Sequence, residues 1–142
     1  MPVLYAADTP KAAVCETILH SVPLRNGKIL YPSFADGVAA TIATTRELKL
    51  AAFMGDGLRV LGTDAGTLSA TTASQYSRTV RWAEAAYKSG FHGVVWMSYR
   101  RNTDAAFVLF GDRVGVRDLT PTTTGGVIFS AGPGFDWLVS HC

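Results

Sequence analysis

Cysteine is nearly missing from this chain. Cys15 and Cys142 are its only two. The first falls in an expected helix and the second is the last residue, which argues against a structural disulfide. A reducing, cytoplasmic setting is the expectation that follows. Charge of one sign is scarce too. Lys and Arg total 13 against 11 Asp and Glu, a net of +2, and no basic run exceeds Arg100-Arg101. That excludes the electrostatic footprint of direct nucleic-acid binding. No apolar run reaches the roughly 18 residues that a membrane-spanning helix needs. No basic stretch precedes an apolar one at the N-terminus, so no signal peptide is expected. Glycine-rich phosphate loops are missing, and so is the GxSxG serine elbow. His20, His92 and His141 have no metal-ligand spacing with the cysteines, so no metal is expected.

What is present is a compact chain. Apolar residues make up 48% and charged ones 17%, which suits a folded core rather than disorder. A length of 142 residues fits one domain, taken as 1–142. Val3 to Ala6 reads as a short strand. Asp8 or Thr9 then caps a helix with Pro10 in its first turn, and Pro23 stops that helix after about Ser21. Residues 29–31, 38–44 and 48–53 read as strands, and 57–61 as a short helix. The clearest helix is "ASQYSRTVRWAEAAYKSG". There Tyr76, Val80, Ala83 and Tyr87 share one face, Arg78 and Arg81 lie on the other side, and Gly90 closes the helix. "GVVWMS" and "AAFVLF" read as buried strands around the polar stretch Tyr99 to Asp104. "TPTTTGG" reads as a loop, "VIFS" as a last strand, and Phe135 to Val139 as a terminal helix. Without regular βαβ alternation, the class is α+β, with a mixed or antiparallel sheet and flanking helices.

Two places could hold chemistry. Glu16 sits in an otherwise small and apolar helix, with Ala12, Ala13, Leu19 and His20 as its wheel neighbours. A carboxylate there is either on a half-exposed edge beside His20 or aimed into a cavity that the alanines leave open. The second place is "WMSYRRN". Ser98 ends a buried strand, and Arg100 and Arg101 follow at the sheet edge, where they either suit phosphate or carboxylate oxygens or form a solvated turn. Tyr5 either packs or meets a ligand at the end of the first strand. A hydrolase reading would need His20 or His92 within reach of Ser98.

The blocks "VLYAADTPKAAVCETILHS" and "YSRTVRWAEAAYKSGFHGVVWMSYRRNTDAAFVLFGDRV" resemble, in order, the two blocks of the RES domain family, named for its Arg, Glu and Ser. The resemblance spans residues 3 to about 114. It implies a fold related to ADP-ribosyltransferases. It also implies a toxin of a bacterial toxin–antitoxin pair that consumes NAD, by phosphorolysis, hydrolysis or ADP-ribosyl transfer. Its partner would be a helix-turn-helix antitoxin. By position, the family's Glu falls on Glu16, its Ser on Ser98 and its Tyr on Tyr5. Glu16 is then the catalytic carboxylate, while Ser98 and Tyr5 bind NAD. NAD is a substrate, and no cofactor or metal is implied. The family's Arg lies upstream of the Tyr, in a segment with no counterpart before Met1-Pro2-Val3. Arg100 and Arg101 are weaker substitutes and not its equivalents. The chain thus reads as an N-terminally shortened member. The alternative function is a catalytically impaired remnant that serves as an antitoxin-binding module, with an open sheet edge that favours a homo-oligomer.

Overall fold

The structure, a computed structural model, describes residues 1–23, 25–69, 76–122 and 125–141. Cys142, residues 123–124 of the expected loop and residues 73–75 of the expected long helix lie outside them, as do the side chains of Tyr76 and Arg78. The described chain is α+β. Strands β1 (Val3–Ala7), β4 (Leu50–Phe53), β5 (Gly93–Met97) and β6 (Ala105–Phe110) form a mixed sheet in the order β1-β6-β5-β4. Only β4 and β5 run parallel within it; β6 is antiparallel to both β1 and β5. Two small antiparallel ribbons lie outside it. They pair β2 (Val38–Ala39) with β8 (Val127–Ile128), and β3 (Ile42–Thr44) with β7 (Leu119–Pro121).

The central strands are continuous apolar runs because both of their faces are covered. Val94 and Val108, opposite one another in register, pack into one cluster with Ala51, Phe53, Ala86 and Phe110. Val95, on the alternate face, is buried as well. The helix α4 (Tyr76–Lys88) lies over that first cluster. Its packed stripe is Trp82, Ala86 and Tyr87; Tyr87 lies on the expected face, whereas Val80 is exposed. The large ring of Trp82 meets Phe53 edge-on, 6.2 Å between centroids, and this contact sets the roll of the helix. Gly90 ends the helix as expected, at φ +88. The Phe91 N–H returns to Ala86 O and the Gly90 N–H to Tyr87 O, the paired bonds of a left-handed cap.

A second cluster joins Val14, Phe34, Phe129 and Leu138. It unites α1 (Pro10–Glu16) with α5 (Gly132–His141). The remaining helices are α2 (Asp56–Val60) and α3 (Ala65–Ser69). α3 was not expected, although Asp64 accepts from both the N–H and the hydroxyl of Thr67 at its start.

Three expectations are corrected. The first helix stops at Glu16, not at Ser21. The hydroxyl of Thr17 takes the carbonyl of Ala13, and the Thr17 N–H falls back on Val14 O, so the helical ladder ends there. Residues 29–31 are not a strand. Tyr31–Ser33 is a short 3-10 turn, because Pro32 has no N–H to give a ladder. Residues 38–44 form two strands, since Val38–Ala39 and Ile42–Thr44 pair with different partners.

Candidate functional site

The end of the sheet where β5 stops and β6 begins builds the site. Met97 lies opposite Ala105, and Ala7 opposite Ala106, so three strand ends share one edge. The Asp8 N–H donates to Ala105 O at 3.1 Å, which brings the start of α1 to this edge. Thr9 caps the helix, accepting from the Ala12 N–H at 3.1 Å. One helix length later Glu16 is the last residue. A carboxylate at a helix C-terminus is at the unfavourable end of the backbone dipoles, which gives it no reason in helix stability to be there.

Ser98 is 0% exposed and donates its hydroxyl to Glu16 Oε1 at 2.6 Å. Its Oγ accepts the Arg101 N–H at 3.3 Å. Among the described residues, nothing takes the second carboxylate oxygen of Glu16. The two residues lie 82 positions apart in sequence, and the fold brings them into contact.

The other expected site residues are placed differently. Arg100 reaches back to the carbonyls of His20 and Val22, where it staples the segment after α1 to the β5–β6 turn. Arg101 pairs through Nε with Asp104 Oδ2 at 2.7 Å, and its side chain is 36% exposed. Tyr5 stands opposite Val108, three residues along β6 from the edge, and is 58% exposed. Three rungs amount to about 10 Å along a strand, which sets the Tyr5 backbone back from the edge where Glu16 and Ser98 meet. His92 precedes β5 and Ser98 follows it, so that strand separates them. Among the described residues, the Ser98 hydroxyl is bonded to Glu16 and to the Arg101 N–H and to no histidine.

One residue that carries the site escaped the sequence reading. Asp104 is only 7% exposed. Its Oδ2 accepts the hydroxyl of Thr9 at 2.6 Å as well as Arg101 Nε, and its Oδ1 accepts Thr103 at 2.8 Å. The Thr9 hydroxyl first, then Arg101 and Thr103, hold its carboxyl well below the usual range, at about 2. The signal was present in the i, i+3 spacing of Arg101 and Asp104, but that spacing also occurs in any solvated turn. Cys15 lies near the same charges. Burial pushes its thiol up against the pull of Arg100 and Arg101, which favours the protonated form at neutral pH.

The low value of Asp104 predicts a pH dependence of stability. A carboxyl depressed by folding contributes stability that is complete above its unfolded value near 3.8 and is lost as pH falls towards about 2. Urea unfolding between pH 5 and pH 2 should show this loss in the wild type. Asp104→Asn should be less stable at pH 5 and converge with the wild type at the acid end.

Among the described residues, no group of three or more His, Cys, Asp or Glu could hold a metal ion, and no helix is long and apolar enough to cross a membrane. The sequence matches the RES domain family over residues 1–129. The chain belongs to that family, whose members are NAD-related domains of toxin–antitoxin type. No curated protein and no solved structure matches it.

Proposed function

We propose that this RES domain breaks the nicotinamide–ribose bond of NAD, with Glu16 as the catalytic carboxylate. The observation that carries this reading is the 2.6 Å bond from Ser98 to Glu16. One carboxylate oxygen is anchored, and the other is left for a ligand. In NAD the bond breaks heterolytically. The pyridinium nitrogen takes both electrons and nicotinamide leaves neutral, so no general acid and no metal is required. Positive charge passes to the ribose as in glycoside cleavage. A fixed carboxylate beside that charge stabilises the transition state more than the ground state. Ser98 keeps the carboxylate in position through the hydroxyl it donates.

Arg101 is the cation best placed for the diphosphate. Its Nε is held by Asp104, and among the described residues its two terminal nitrogens carry no hydrogen bond. Tyr5, on the same sheet, would meet the nicotinamide end only if the substrate extends along β1. Water, phosphate or a protein side chain would complete the reaction at the ribose, and a helix-turn-helix antitoxin would cover the site.

A second reading is an impaired domain that binds its antitoxin without turnover. The engagement of Arg100 on two backbone carbonyls favours it, because that arginine is withdrawn from ligand binding. The two readings separate in one assay. The purified chain is incubated with NAD, with and without inorganic phosphate, and free nicotinamide is quantified. Release above the uncatalysed rate is expected. No release from folded protein would overturn the catalytic reading in favour of the binding one.

A further inference from the structure

The structure assigns Asp104 the role of positioning residue for this site, as the tie that sets Glu16 against Ser98. This inference rests on the NAD-cleaving reading for its activity readout. The catalytic pair comes from two elements that share no chain neighbourhood. Glu16 closes α1, and Ser98 opens the turn between β5 and β6. Asp104 bonds to both elements. Its side chain accepts the hydroxyl of Thr9, the residue that caps α1. Its backbone C=O accepts the Ser98 N–H at 2.9 Å, and its N–H donates to Arg101 O at 2.9 Å. Its carboxylate also fixes Arg101, whose N–H reaches Ser98 Oγ.

α1 is a rigid rod of two turns, so the place of its first residue dictates the place of its last. A shift at Thr9 is carried to Glu16 and opens the 2.6 Å contact with Ser98. Thr9 therefore has two bonds with one hydroxyl. It accepts from the Ala12 N–H, which starts the helix, and donates to Asp104, which aims it. The Asp104 side chain is bonded to Thr9, Arg101 and Thr103 and not to Glu16 itself. It acts through Glu16 and Arg101.

The test compares nicotinamide release by the wild type, Asp104→Asn, Thr9→Val and Thr9→Ser. Asp104→Asn and Thr9→Val should lose at least about tenfold in kcat with KM within about threefold, because a misplaced carboxylate weakens transition-state contacts more than binding. Thr9→Ser restores the hydroxyl and should recover most of the rate. Circular dichroism and the thermal midpoint establish that each variant is folded at the assay temperature. A folded Asp104→Asn or Thr9→Val variant with the wild-type kcat overturns the assignment. So does a Thr9→Ser variant as slow as Thr9→Val. Should the wild type itself release no nicotinamide, the catalytic reading fails and the tie is judged by unfolding alone. The cycle of Asp104→Asn with Ser98→Ala in urea should then be non-additive by at least about threefold in the unfolding constant. Additivity overturns it.

Discussion

Replacing Glu16 with glutamine is expected to lower nicotinamide release from NAD by roughly 10²–10³-fold while leaving the fold intact. Glutamine keeps the length of the side chain and an oxygen that accepts the Ser98 hydroxyl. It removes the negative charge, and the charge is what the developing ribose cation needs. Glu16→Ala removes the charge and the acceptor together. It should show the same loss of rate and, in addition, a cost in stability of about 1–3 kcal/mol, since the buried Ser98 hydroxyl loses its partner. Single-turnover measurement of nicotinamide, at saturating NAD, separates the chemical step from product release. Wild-type rates from folded Glu16→Gln would remove the acid from the chemistry, whatever its place in the site.

A large effect on stability is expected at Gly93, the first residue of β5. A methyl group built there would stand 2.2 Å from Val108 O and 3.1 Å from the Cα of Leu109. Both are backbone atoms of the neighbouring strand, so neither can swing aside. The strain would have to be met by separating β5 from β6, at the centre of the sheet. Gly93→Ala should cost about 3 kcal/mol, at the upper end of overpacking penalties, and lower the thermal midpoint on the order of 10 °C. Gly115→Ala is the control. Nothing lies within 4 Å of a methyl group there, and its φ of −92 suits any residue. Equal melting of the two variants would mean that β5 and β6 do not approach as closely as described.

The sheet strands, the long helix and its glycine stop were legible because each is written in neighbouring residues. Apolar runs with a hydrophobic residue at every position announce β5 and β6 as strands covered on both faces. Spacing of 3.6 announces α4, though not which way it rolls. That was decided by Trp82 against Phe53, a contact across the fold. The end of α1 was misjudged for a related reason. Pro23 is a loud signal, but the hydroxyl of Thr17 ends the helix earlier by taking a carbonyl that the ladder needed. With the helix over at Glu16, the neighbours expected of that residue at Leu19 and His20 no longer share its face.

Asp104 shows the remaining gap. In sequence it closes a polar stretch of the kind that loops have at any surface. In the fold it is buried, because Thr9, 95 positions away, brings a hydroxyl to it. Residue types and local chemistry determined by themselves that β1, β5 and β6 become strands and α4 a helix, that Glu16 and Ser98 were worth weighing, and that the chain resembles the RES domain. Only the tertiary structure decided that these two side chains touch, that Arg100 is spent on backbone carbonyls, and that Asp104 ties the pair. The reason is that backbone preference acts over a few residues, whereas the order β1-β6-β5-β4 is set by burial summed over the whole chain.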